Sequence, residues 1–275
     1  HSVEARVYAE IPEKNFLPST GHVLLLDEVP DDAAGNVRVD SALVEGLEIS
    51  SSYDPMISKV IAWGQDRTAA LDTLDKSLAG YTALGIDTNV EYLRLLINDA
   101  GRLDTGLIER KMPEFTFRRA GDFEVVAAAV YVAAMQEPDA QGAGTSPWDL
   151  RDGWRLGGRA PRRISLGTPD GGVVTVEVSG SVGQGSATVS VDGGPQRKAS
   201  LRFPKRHHAE LILGGEALVY SLAPVSMGPV RPDRDNMVPT ELFLGNEGWS
   251  CRLEVLTREA RLARVLAAIE RSARD

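Results

Sequence analysis

From Val125 to Met135 the chain reads VVAAAVYVAAM, a helix-length run with no polar face. A helix that is apolar all round must be surrounded by protein, so the rest of the chain has to supply an enclosure. The uncharged stretch from Val125 to Met135 is far short of the ~20 residues a membrane span needs, and no basic-then-apolar leader opens the chain. Membrane insertion and secretion are set aside. The enclosure is visible downstream, where Trp154 to Leu156, Arg163 to Leu166, Val173 to Val178, Ala187 to Val191, Ala199 to Phe203, Ala209 to Leu213, Ala217 to Leu222, Leu242 to Leu244 and Ser250 to Leu256 alternate in short segments punctuated by glycine. Asp192-Gly193-Gly194 is a strong hairpin signal. Regularly spaced short strands predict an antiparallel barrel or sandwich with the helix as its core plug. At the end, Leu262, Val265, Leu266 and Ile269 predict an amphipathic helix with a basic outer face.

The first 110 residues have a different rhythm. Val3, Ala5, Val7 and Ala9 alternate with Glu4, Arg6, Tyr8 and Glu10, which predicts a half-buried strand with a charged outer row. His22 to Leu26, Val37 to Val39 and Leu43 to Val44 read as further short strands. After Met56 to Trp63 the period lengthens: Leu71, Leu74, Leu78 and Tyr81 share a helical face bounded by Asp66 and Gly85. Thr88 with Glu91 reads as a capping box ahead of Val90, Leu93, Leu96 and Ile97. The expected fold class is α+β: a mixed sheet-and-helix subdomain over 1–110, a linker over 111–121, and over 122–275 an antiparallel β-barrel around the central apolar helix, closed by the C-terminal amphipathic helix.

Thirty basic against thirty-nine acidic side chains give a net charge of −9, which disfavours nucleic acid and anionic membranes as partners. The single cysteine, Cys251, excludes an internal disulfide and suggests a reducing, cytoplasmic location. His207 and His208, expected on opposite faces of a strand, cannot chelate one metal together and read as surface residues. The chain opens at His1, already in strand pattern by Ser2, and is taken as an internal fragment of a longer polypeptide.

Three phrases carry a family resemblance. HSVEARVYAEIPEKNFLPSTG (His1 to Gly21), YDPMISKVIAWG (Tyr53 to Gly64) and LGIDTNV (Leu84 to Val90) resemble, in order and spacing, the C-terminal subdomain of biotin carboxylase, as far as the closing phrase TGLIER at about Glu109. In the second half, an apolar helix followed by SPWDLRDGWRL (Ser146 to Leu156) and glycine-punctuated strands resembles the domain of acyl-CoA carboxylase α subunits that joins biotin carboxylase to carboxyltransferase. That family has a long helix inside an antiparallel barrel there, in agreement with the plug.

The resemblance implies a biotin-dependent carboxylase of the acetyl- or propionyl-CoA type. The intact protein would use ATP, Mg2+ and bicarbonate to carboxylate biotin on a carrier domain of the same polypeptide, then serve a carboxyltransferase β subunit. It assigns Arg6 to the ureido oxygen of biotin, as catalytic and cofactor-binding residue; from the strand pattern alone, Arg6 is a surface arginine balanced by Glu4 and Glu10. Arg38 matches an arginine at the contact between two biotin carboxylase copies, which implies a homo-oligomer, and an exposed strand arginine is the other reading. Trp148, in the long loop from Glu137 to Asp152, is an interface candidate or a barrel anchor. Tyr53-Asp54-Pro55-Met56 with Lys59 reads as a turn leading into a buried strand. No ATP lid, magnesium-binding glutamates, bicarbonate arginine or Met-Lys-Met carrier phrase occurs in the sequence, and Ile11 stands where relatives have an acid. The fragment alone is therefore expected to be inactive, with no cofactor bound. A non-catalytic scaffold with a relic first domain is the rival class, and a ligand-binding barrel is weakened by the helix that would fill its lumen.

Overall fold

A computed structural model describes residues 1–29, 35–98, 104, 106–136, 154–155, 158–183, 185, 187–205, 207–225 and 238–272. They divide into two compact units, one made of His1–Arg119 with Gly245–Cys251, the other of Ala120–Leu244 with Arg252–Asp275.

The first unit is built on a three-stranded antiparallel sheet of β1 (Ser2–Tyr8), β2 (Val37–Ser41) and β3 (Met56–Trp63), in the order β1-β3-β2. The alternation expected for β1 holds: Ala5 and Val7 are buried while Glu4 and Arg6 face out. Helix α1 (Arg67–Gly80) covers the inner face, started by Asp66, whose carboxylate accepts the Ala69 N–H at 2.8 Å. Leu71, Leu74, Leu78 and Tyr81 are all buried, as their spacing predicts. Leu74 and Leu78 join Val7, Val60 and Ala62 in one core with Val90 of α2 (Val90–Asn98).

Three local expectations change. His22 to Leu26 is not one strand: Gly21–His22 pairs with Glu48–Ile49, whereas Leu25–Asp27 pairs with Thr82–Leu84. The crossing needs glycine at Gly85, where a Cβ would stand 2.0 Å from the His22 carbonyl oxygen. Leu43 is buried but lies outside any strand, its N–H turned back onto the Ser41 hydroxyl at 3.0 Å. Helix α2 begins at Val90, and the Glu91 carboxylate accepts the Arg118 N–H at 2.7 Å, a distant use that a local capping pattern does not anticipate.

The second unit holds the predicted helix-plugged barrel, apart from Gly245–Cys251 at the turn of its last hairpin, which count with the first. Strands β4 (Arg162–Gly167), β5 (Val173–Ser179), β6 (Ala187–Val191), β7 (Arg197–Lys205), β8 (His208–Leu213), β9 (Glu216–Val225), β10 (Glu241–Asn246) and β11 (Trp249–Leu256) follow one another around a closed barrel. It is sealed where Ser165–Gly167 of β4 pair antiparallel with Glu254–Leu256 of β11. Asp192 and Gly193 both adopt positive φ, at 47° and 75°, the conformation of the tight hairpin their sequence announces. One predicted strand does not join the barrel: Trp154–Arg155 forms a separate two-stranded ladder with Gly158–Arg159.

Helix α3 (Asp122–Met135) packs against β4 to β8, with Val125 to Val130, Val132 and Ala133 all buried. Alanine at 127, 128, 129 and 133 keeps the helix thin, which suits a lumen otherwise sized for side chains alone. Its ends are tied down. Glu124, 4% exposed, accepts the Gly121 N–H at 2.7 Å and the Tyr220 hydroxyl at 2.8 Å. At the other end Arg162 donates to the Ala133 carbonyl at 2.9 Å, placing a cation where the helix dipole favours one. Helix α4 (Arg258–Ser272) rests on the barrel through an Arg264–Glu254 ion pair. Its apolar stripe, Leu262, Val265, Leu266 and Ile269, is exposed rather than turned inward.

Two substitutions check this packing. Val130→Asp puts a charge in the lumen and is expected to abolish the barrel's strand signal in circular dichroism. Tyr220→Phe keeps the fold but removes a buried hydrogen bond, and thermal melts should register a loss of about 1–3 kcal/mol.

Candidate functional site

The outer face of the three-stranded sheet carries a row of charged residues, Glu4 and Arg6 on β1, Lys59 on β3, and Arg38 and Asp40 on β2. Register places Arg6 opposite Lys59, and Lys59 opposite Asp40 on its other side; the next row is Glu4, Ile61 and Arg38. Arg6 and Arg38 therefore share one face, two strands and one row apart, a separation of roughly 12 Å between their backbones. Arg6, Lys59 and Arg38 outnumber Glu4 and Asp40, so the patch is locally cationic on a chain of net charge −9.

Within the patch Arg6 and Arg38 differ. Arg38 is clamped by Asp40 through two bonds, Nε to Oδ1 at 2.8 Å and Nη2 to Oδ2 at 2.7 Å, and the guanidinium holds the Asp40 carboxyl below its ordinary range. Arg6 donates Nε to Glu4 Oε1 at 2.9 Å, and its side chain remains 61% exposed. Hydrogen bonding to Glu4, and then to Tyr8, strengthens its hold on the proton. A permanently charged fork, held on one edge and open to solvent, is suited to an anionic or oxygen-rich ligand.

The strand carrying Arg6 is held from its free edge. Asn89, 5% exposed, donates Nδ2 to the Arg6 carbonyl at 3.2 Å and accepts the Tyr8 N–H on Oδ1 at 2.9 Å. Two residues on, Glu91 binds the Arg118 N–H, and the Arg118 guanidinium lies 4.3 Å over the Trp249 ring while its carbonyl accepts the indole N–H at 2.9 Å. Burial raises the Glu91 pKa, against the opposing pull of the Arg118 N–H. Asn89, Arg118 and Trp249 belong to no local chemical motif, and the sequence marks Glu91 only as a capping-box partner of Thr88.

The remaining sequence candidates are placed as follows. Asp54 accepts the Met56 N–H at 2.8 Å, which makes the Tyr53–Met56 phrase the turn that was expected. His207 sits in a left-handed turn, φ 64°, ahead of β8 rather than within a strand, and the described residues contain no cluster of three metal-ligating side chains. Trp148 and the loop from Glu137 to Asp152 lie outside the described residues.

Comparison with known proteins gives the patch a context. Residues 4–110 match the family model for the biotin carboxylase C-terminal domain, and residues 121–258, half of the chain, match that for the methylcrotonyl-CoA carboxylase alpha-subunit BT domain. The mitochondrial methylcrotonoyl-CoA carboxylase subunit alpha of Dictyostelium discoideum is 32% identical over 193 residues, covering 66% of this chain and 27% of that protein. Its Glycine max counterpart is 43% identical over 113 residues, 40% of this chain and 15% of that one. The mitochondrial propionyl-CoA carboxylase alpha chain of Homo sapiens is 34% identical over 196 residues, again 66% of this chain and 27% of the relative. The chain spans about a quarter or less of the curated relatives it matches.

Glu91 supplies a pH test. Its folded pKa lies above the ordinary 4.5, so its relative contribution to stability is fully present below that value and is lost as pH rises through the folded value. Glu91→Gln retains an oxygen acceptor for Arg118 and removes the titration. Thermal midpoints should favour the variant over wild type more at neutral pH than in acid.

Proposed function

This chain belongs to the family of biotin-dependent acyl-CoA carboxylase α subunits, and from that membership we propose that Arg6 stabilises the negative charge that gathers on the ureido oxygen of biotin during carboxylation. The observation that carries the reading is an exposed guanidinium, gripped at one edge by Glu4, on a locally cationic sheet face. Such a group keeps its charge throughout the reaction and offers donors in a fixed plane, so it needs little reorganisation as charge develops. Biotin, when bound, supplies the ureido ring that receives the carboxyl group. Lys59, directly opposite Arg6, adds positive potential, and Glu4 orients the fork.

In this reading ATP, Mg2+ and bicarbonate are bound by parts of the α subunit outside this chain, and the biotin carrier belongs to the same polypeptide. The barrel is the docking element for the carboxyltransferase β subunit, with Trp148 as its proposed contact. The acyl acceptor is a short acyl-CoA; the names of the relatives favour methylcrotonoyl-CoA or propionyl-CoA over acetyl-CoA. The face bearing Arg38 is the proposed contact between α-subunit copies, where Arg38 would exchange Asp40 for a group of the second copy. The single cysteine is buried, which suits a reducing compartment such as the cytoplasm.

In the intact α subunit, Arg6→Ala is expected to slow carboxylation of free biotin on the order of 10²- to 10³-fold, with ATP binding little changed. An unchanged rate together with a lowered melting temperature would return Arg6 to the role of a strand anchor. For docking, the whole chain should capture a co-expressed β subunit in a pull-down and Trp148→Ala should weaken capture. No capture by the folded wild-type chain would remove the bridging role.

A further inference from the structure

We infer that Asn89 is a positioning residue for Arg6, a role that rests on the proposed biotin function of that arginine. Strand β1 lies at an edge of its sheet, paired with β3 on one side only. On the other side, the Arg6 carbonyl and the Tyr8 N–H meet a single side-chain amide, Asn89, which gives Nδ2 to the first at 3.2 Å and Oδ1 to the second at 2.9 Å. The Asn89 N–H adds a third bond, to the Tyr8 carbonyl at 3.2 Å. One side chain thus supplies the donor and acceptor that a neighbouring strand would have offered.

The place where this happens matters. The ladder between β1 and β3 slips between Val7 and Tyr8, so pairing with β3 becomes irregular just past Arg6. The Asn89 clamp spans this slip, fixing the backbone on both sides of Val7. Asn89 is itself anchored: it is 5% exposed, its carbonyl accepts the Leu93 N–H at 2.9 Å in the first turn of α2, and Val90 beside it is in the core. Rigidity therefore passes from the core, through the start of α2, to the backbone that carries the guanidinium. The amide satisfies both groups at once, with its donor and its acceptor on separate atoms. Aspartate retains an acceptor for the Tyr8 N–H but sets a second oxygen against the Arg6 carbonyl, and alanine supplies neither bond.

The test is a double-mutant cycle in the intact α subunit, with free biotin as the probe. Asn89→Ala and Asn89→Asp should each lower kcat for biotin carboxylation on the order of 10- to 100-fold, as expected for a displaced catalytic group. The KM for ATP should hold. In an Arg6→Ala background the same changes at position 89 should cost nothing further, since the group they position is gone. An equal loss in both backgrounds, or failure of both position-89 variants to fold, would reduce Asn89 to a structural clamp and overturn the inference. If Arg6→Ala is impaired while the Asn89 variants run at the wild-type rate, this inference alone falls. If Arg6→Ala itself runs at the wild-type rate, the biotin reading falls first and leaves Asn89 nothing to position.

Discussion

An α-helix without a polar face has to be shielded from water on every side, and the second unit is organised by that requirement. The strands from Arg162 to Leu256 meet it by closing on themselves, which hides the helix and also removes the unpaired strand edges that an open sheet would leave. Closure leaves little tolerance inside. Alanine at four buried helix positions keeps the plug narrow, and the carboxyl of Glu124 is held within the barrel by Tyr220 and the Gly121 N–H rather than left to seek water.

The first unit faces the opposite problem, an edge strand left open. Strand β1 has no strand partner beyond it in its sheet, yet it carries the arginine on which the proposed chemistry depends. Asn89 resolves this with a side chain instead of a strand, satisfying the edge groups on both sides of Val7. Glu91, Arg118 and Trp249 continue the same arrangement, in which backbone groups are satisfied by side chains far away in sequence.

What was legible beforehand was what is local. Periods of two and of 3.6 residues announce β1, α1 and most barrel strands, an unbroken apolar run announces α3, and Asp192-Gly193 announces its hairpin. The phrase around Trp154 reads like the strands that follow it, but pairing decides membership, and its partner is Gly158–Arg159. The left-handed turn at His207 and the exposure of the stripe on α4 were equally hidden, since neither alternation nor helical spacing reports them. Arg6 was marked by the motif around it, not by its alternation, which any surface arginine shares. Asn89 carried no signal of this role: its partners are Arg6 and Tyr8, more than 80 residues earlier, and the LGIDTNV phrase around it points to the family and to a helix start, not to a contact with β1.

Native-state hydrogen exchange on the intact chain tests enclosure most directly. If the barrel exists to shield the helix, the amides of Val126 to Met135 exchange only through the opening that also exposes the strand amides of Leu166 and Leu211, and both sets report one free energy of opening. Helix amides that exchange far faster than those strands, through an opening of their own, would contradict the claim that closure of the barrel and burial of the helix are a single event.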